Sequence, residues 1–212
     1  MKLPSYIKLG RDSVVDDFVR LGELPKDVRP GMLELIIGAN AHLRSFSVLY
    51  AGSQIGHHFA AGNGANIREY CRIGDHVTVG TNSVVLPCAQ IGNHVTIHSL
   101  VLTAEHMVIG DGSWIGPGVI ILNTKFPKAT HCKHKEQSDK EGAPIIGKHV
   151  RIGGNATILP YTKIGDNSLV AAGAVVVEGD YPPNSVLVGN PAKIVKKIQD
   201  LTCHPGEHPY TP

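Results

Sequence analysis

Apolar residues recur along this chain at every sixth position. From Ile37 the series runs Ile37, Leu43, Leu49, Ile55, Ala61, Ile67, Ile73, Val79, Val85, Ile91, Ile97, Thr103, Ile109, Ile115 and Ile121. Thirteen of these fifteen are Ile, Leu or Val, whereas the 56 such residues among 212 would supply about four by chance. The phase slips by one residue and resumes at Ile146, Ile152, Ile158, Ile164, Val170 and Val176, reappearing at Val188. Amphipathic helices would space apolar residues three and four apart, and simple strand alternation would not impose six. A short fixed period predicts a solenoid, here a parallel β-helix built from hexapeptides.

Each hexad can supply a short strand and a tight turn. Its first residue points into the lumen, and so does the residue four later, where Ala41, Ser47, Ser53, Ala65, Cys71, Val77, Ser83, Ala89, Val95 and Val101 stand. Those side chains are mostly small or β-branched, as a narrow interior requires. Gly often follows the lumen residue, with Asp or Asn next, as in Gly74-Asp75, Gly92-Asn93, Gly110-Asp111 and Gly165-Asp166. These are expected to take the sharp or left-handed backbone of the corners. Three sides close a triangular coil of eighteen residues, so Ile37 to Ile121 makes nearly five coils and the later block two to three.

Residues 1–36 keep the period poorly and read as an irregular cap on the open end of the core. The repeat domain spans 37–190 and is interrupted at 123–144. In that stretch Lys133, Lys135, Glu136, Asp139, Lys140 and Glu141 put six charges in nine residues, which the lumen cannot hold. The segment is therefore an excursion from the prism. After Val188, "GNPAKIVKKIQDL" reads as a short helix with Pro191 in its first turn, and 191–212 as helix plus loose tail.

Composition narrows the function classes. A net charge of +2 implies no affinity for nucleic acid or other polyanions. No 18-residue apolar stretch or signal-like N-terminus is present, so no membrane association and a cytoplasmic setting are expected. The four cysteines, Cys71, Cys88, Cys132 and Cys203, show no metal-binding spacing, and Cys71 falls on an inward position.

Three segments, "IGDHVTVGTNSVV" (73–85), "WIGPGVIILNTKFPK" (114–128) and "RIGGNATILPYTKIGDNSLVAAGAVVVEGDYPPNSVLVGNPAK" (151–193), resemble the hexapeptide-repeat acyltransferase superfamily. The resemblance covers roughly 37–197 and implies an all-β fold, the left-handed parallel β-helix, working as a homotrimer with acetyl-CoA as co-substrate and no metal. "NTKFPK" is most similar to the nucleotide-sugar N-acetyltransferases. Relatives that acetylate hydroxyls of sugars or xenobiotics carry a catalytic His there, where this chain has Lys125. The implied function is acetylation of an amino group on a nucleotide-linked amino sugar in surface-polysaccharide biosynthesis, with O-acetylation of a sugar or small xenobiotic as the alternative.

Acyl transfer from a thioester needs a base, a donor for the developing oxyanion and a groove for the pantetheine arm. Candidate bases are His98, on a corner position usually held by Gly, and His131 and His134 on the excursion. Each has the alternative reading of a solvated surface histidine. Glu105, at the next corner, is a candidate to orient His98. Asn123, at the root of the excursion, is a candidate hydrogen-bond donor. Trp114 is expected near the groove or packed on the coil surface, Gly154, Ala171, Ala172 and Gly173 are small enough to let pantetheine approach, and Lys193 and Lys196 could meet the cofactor's phosphates. A different class remains open because His58, His76 and His94 recur at intervals of eighteen. They should stack at about 4.8 Å steps, and the γ-type carbonic anhydrases, which share the solenoid, bind zinc through three histidines.

Overall fold

The computed structural model of the chain describes residues 3–127, 142–203 and 208–210. Strands of mostly two residues wind into a prism with three parallel faces. The first face stacks nine strands, from Ile7–Leu9 through Arg72–Ile73 and Val108–Ile109 to Gly179–Tyr181. The second runs from Val14–Val15 through Ala60–Ala61, Thr96–Ile97, Trp114–Ile115, Arg151–Ile152 and Leu169–Val170 to Ser185–Gly189. The third runs from Arg20–Glu23 to Val84–Val85, passes through single bridges at Leu102, and continues from Ile120–Ile121 to Val175–Val176. Register is set by the repeat: Arg72 pairs with Gln90, and Thr78 with Thr96, one coil on.

The pleat explains why the period is visible. In a typical two-residue strand the first side chain faces outward and the second inward, so every hexad residue enters the lumen. Leu43, Ile67, Val85, Ile97, Ile115 and Ile152 are all buried completely. The second inward position is equally buried, from Ala41 and Ser53 to Cys71, Ser83 and Val101. Two of its serines serve the corners. Ser53 and Ser83 donate to the carbonyls of Arg68 and His98 at 2.7 Å and accept the N–H of Cys71 and Val101.

Corner chemistry differs from the expectation. Left-handed backbone falls on the fourth residue of the hexad, not the second or third. Asn40, His58, His76, His94, Leu100 and Asn167 all have φ between 54° and 61°, and Gly64 and Gly112 share the position. The second-position glycines are needed for space. A Cβ on Gly110 would lie 2.6 Å from the Gly147 carbonyl carbon and the Lys148 nitrogen, both backbone atoms of the next coil. The third residue supplies a ladder instead. Asp75, Asn93 and Asp111 accept the backbone N–H of His57, Asp75 and Asn93 at 2.6–2.8 Å. These bonds, with help from Lys148, hold the Asp111 carboxyl below the usual carboxylate range.

Residues 7–23 form a complete coil rather than an irregular cap, pairing in register with Leu35–Ile37, His42–Leu43 and Val48–Tyr50. What obscured the period is the connection at 24–34, which lengthens that coil. The excursion behaves similarly. Ile109 pairs with Ile146, 37 positions on instead of 18, so the coil continues across a 19-residue insertion. The helix expected after Val188 is replaced by a strand, Ala192–Lys197, antiparallel to Ser185–Gly189, and only Ile198–Asp200 make a 3-10 turn. The last coil leaves a row of unpaired backbone groups, and β-branched Ile194 and Val195 suit a strand that covers it.

The histidine column stacks as the spacing implied. Ring centroids of His58 and His76 lie 4.4 Å apart, and those of His76 and His94 4.7 Å apart, with planes within 7° of parallel. Parallel rings send their nitrogen lone pairs in parallel directions, so the column does not converge on a shared point as a zinc tripod must.

Gly110→Ala should lower stability by about 1–3 kcal/mol, seen as a shift of the denaturation midpoint, because the obstructing atoms are backbone. Burial also pushes the Cys71 thiol up to about 12, so at pH 8 it is almost wholly protonated. Iodoacetamide should label exposed Cys203 in the folded protein and leave Cys71 unmodified, with mass spectrometry as the readout.

Candidate functional site

The outward side chains of the second face form one continuous row. Ala60, Thr78, Thr96, Trp114, Arg151 and Leu169 pair in sequence from coil to coil. The small residues leave a cavity of about 370 Å³ over the lower coils, edged by Arg44, Asn63, Thr81, His98 and Ser99. Above it, Trp114, Arg151, Gly153, Leu169, Ala171, Ala172 and Tyr210 enclose a second cavity of about 520 Å³. The two adjoin where Thr96 pairs with Trp114. A larger cavity, about 910 Å³, is the open end of the first coil, walled by Leu3, Tyr6, Val15 and Leu21. It holds no imidazole or thiol, and so offers little chemistry.

His98 stands at the junction. Its backbone is fixed from three directions: its N–H donates to the Ile115 carbonyl at 2.8 Å, its carbonyl accepts from Ser83, and Gly80 lets the coils close up beneath it. A side chain on Gly80 would sit 2.5 Å from the His98 carbonyl carbon. The imidazole is thereby thrown outward, edge-on to the Trp114 ring with centroids 5.7 Å apart. Trp114 is 39% exposed, so its face is available to a ligand.

The upper cavity fits an extended apolar chain. Its walls are small at Gly153, Ala171 and Ala172, with one broad aromatic surface. Arg151 is held at its rim by the His149 carbonyl and Asn167 Oδ1, and the guanidinium lies 3.8 Å from the centre of the Tyr210 ring. Gly154 is packed toward Pro117 rather than the cavity, while Gly173 is open, with φ +69°. Lys193 and Lys196 sit on the strand that extends the second face past its last coil, Lys196 opposite Val186. Both are exposed, on the strand that stands in place of the expected helix.

Other predicted residues lie elsewhere. Glu105 does not orient His98. It occupies the corner between the third and first faces, where its charge acts on Arg68 and Cys88. Seven residues of separation carry the chain round one whole face, so the two side chains point away from different edges. Glu69 at that corner is gripped by Arg68 through two hydrogen bonds of 2.8 and 3.0 Å. Burial and the neighbouring carboxylates raise the Cys88 thiol. Asn123 roots the excursion at the same corner, beside Gly142 where the chain returns, and Lys125 pairs with Glu178. His131 and His134 lie outside the described residues.

The residues that sequence reasoning missed are Arg44, Arg151 and Tyr210. Arg44 and His98 share a hexad position at a multiple of eighteen, which was readable. Arg151 follows Trp114 in its row only once the insertion is counted, and Tyr210 shows no pattern.

The model for the bacterial transferase hexapeptide (six repeats) matches residues 70–103 and 143–177. Over those residues the chain carries the bacterial transferase hexapeptide repeat, and it is similar to the hexapeptide-repeat acyltransferases. Its fold class is that family's left-handed parallel β-helix. LpxA, a UDP-N-acetylglucosamine acyltransferase from Bacteroides fragilis 9343, is similar with a TM-score of 0.63 over 92% of this chain and 72% of that one, at 15% identity, a likeness of fold alone. The galactoside O-acetyltransferase of Escherichia coli is 35% identical over 108 residues, covering 50% of this chain and 52% of that protein. A Saccharomyces cerevisiae protein provisionally described as an acetyltransferase is 38% identical over 105 residues, 49% of this chain and 52% of its own length. The chain therefore spans about half the length of these curated relatives.

Proposed function

We propose that the protein transfers an acetyl group from acetyl-CoA to the amino group of a nucleotide-linked amino sugar, in the cytoplasm, for surface-polysaccharide synthesis. The observation that carries this reading is the meeting of His98 with Trp114 where the two cavities of the second face adjoin. The pantetheine arm would lie along the upper cavity, against Trp114 and the small walls at Gly153, Ala171 and Ala172, with the phosphates toward Lys193 and Lys196. The acceptor would occupy the lower cavity. Attack by its nitrogen on the thioester carbonyl forms the amide C–N bond and breaks the C–S bond. His98 receives the proton that the nitrogen loses, and the departing thiolate takes one up.

Assembly as a homotrimer is part of the proposal. Asn123, at the root of the excursion, sits at the corner opposite the second face, and in the proposed assembly it would serve the groove of another copy of the chain. Exposed Leu100, Ile120, Leu122 and Phe126, on or beside the third face, give such a contact an apolar surface. In that arrangement Asn123, His131 and His134 would act on the neighbour's groove.

A second reading is O-acetylation of a sugar, favoured by the likeness to galactoside O-acetyltransferase. A hydroxyl holds its proton far more tightly than an ammonium, so its transfer profits from a carboxylate-assisted imidazole. Among the described residues no carboxylate hydrogen-bonds the His98 ring, and that favours the amine.

Among the described residues no helix is long and apolar enough to cross a membrane. His98→Ala should lower kcat by about 10²–10⁴-fold in an assay of acetyl-CoA consumption with amino-deoxy nucleotide sugars. Trp114→Ala should instead raise KM for acetyl-CoA about tenfold, the equivalent of about 1.4 kcal/mol. Full kcat in the His98 variant would remove it as the base.

A further inference from the structure

We propose that Arg44 is the specificity-determining residue of the acceptor cavity, gripping a diphosphate or comparably anionic tail of the acceptor while the other end is presented to His98. The inference rests on the acyl-transfer reading for the His98 end only. Its own grounds are the shape and charge of the lower cavity.

Arg44, Gly62, Gly80 and His98 occupy one hexad position on four successive coils. The two middle members have no side chains, so an uncovered strip of backbone runs between a guanidinium and an imidazole. Three coil rises separate them, about 14 Å at the usual strand spacing. A sugar ring with a diphosphate attached fills such a span once the flexible arginine stem turns toward it. Neutral walls at Ala60 and Thr81 bound the strip, and no carboxylate lines the cavity.

Arg44 has no carboxylate of its own. Among the described residues none lies within ion-pair distance of its side chain, which is exposed. Asp16 stands at the same hexad position one coil below, yet its Oδ1 faces His42 Nε2 at 3.6 Å. Three other arginines are employed within the prism: Arg20 pairs with Glu23, Arg68 with Glu69, and Arg72 caps the carbonyls of Gly52 and Cys71. A guanidinium left over at the mouth of a neutral cavity is suited to a phosphate, which its planar fork meets with two parallel hydrogen bonds. A neutral sugar acceptor would give that charge nothing to bind.

The test is titration calorimetry of uridine diphosphate into the full-length protein previously saturated with CoA, so that the cofactor's own phosphate sites are filled. The wild type should bind, Arg44→Ala at least tenfold more weakly, and Arg44→Lys in between, because a lysine keeps the charge and loses the fork. CoA affinity, measured separately, should be unchanged by either substitution. Equal uridine diphosphate affinity in wild type and Arg44→Ala, or no binding to the wild type, would overturn the inference. So would parallel losses of uridine diphosphate and CoA affinity, which would give Arg44 a structural role. Failure of the acyl-transfer reading would show differently, as a wild type that does not bind CoA, and the same titration without CoA would still decide the role of Arg44.

Discussion

Coil-to-coil hydrogen bonding at the strand spacing governs this molecule. Each backbone segment donates to the equivalent segment one coil on, as when Gly56 donates to Ile73, Gly74 to Ile91 and Gly92 to Ile109. Once that spacing holds on all three faces, equivalent residues must stand in columns. Small inward side chains, bare corners and stacked rings then follow from the same geometry. Few of the strands is long enough to be stable alone, and the structure exists because every coil lends its edge to the next.

The columns also divide labour among the corners. Between the first and second faces, carboxylates and amides of Asp75, Asn93 and Asp111 tie coil to coil, with the histidine stack beside them. Between the third and first faces stand the Arg68–Glu69 pair, Cys88, Glu105 and the root of the excursion. The corner between the second and third faces is nearly stripped of side chains at its glycines, and there His98 and Arg44 project. The proposed chemistry lies where the column is otherwise empty, since a side chain projecting from a bare strip has few neighbours to occupy it.

This layout is why the proposed acyl transfer is assigned to an assembly rather than to a single subunit. The imidazole and the aromatic wall share the second face, while the excursion leaves from the opposite corner. A prism is too stiff to bring the two together by bending, because any bend would break hydrogen bonds on a whole face. In the proposed trimer a second copy would join them, across the exposed apolar residues on and beside the third face.

The sequence by itself determined the solenoid, its period, the lumen residues as far as Val176, the point where the excursion leaves and the stacking of His58, His76 and His94. All of these depend only on a residue's place modulo six or eighteen. In the last coil, however, Leu187 enters the lumen and Val188 is exposed, one residue off the period. The sequence also pointed to His98, since a bulky side chain at a glycine position has nowhere to go but out, and to Trp114, the one tryptophan, on or near the coil surface. Only the tertiary structure decided the rest. Left-handed backbone moved to the fourth hexad position because the second position is spent on close approach between coils. The tail Ala192–Lys197 became a strand because the last coil presented an open edge that no local propensity announces. Glu105 parted from His98 because seven residues carry the chain round one whole face. Arg151 and Tyr210 joined Trp114 because a nineteen-residue insertion and a returning tail fix distances that spacing along the chain cannot express.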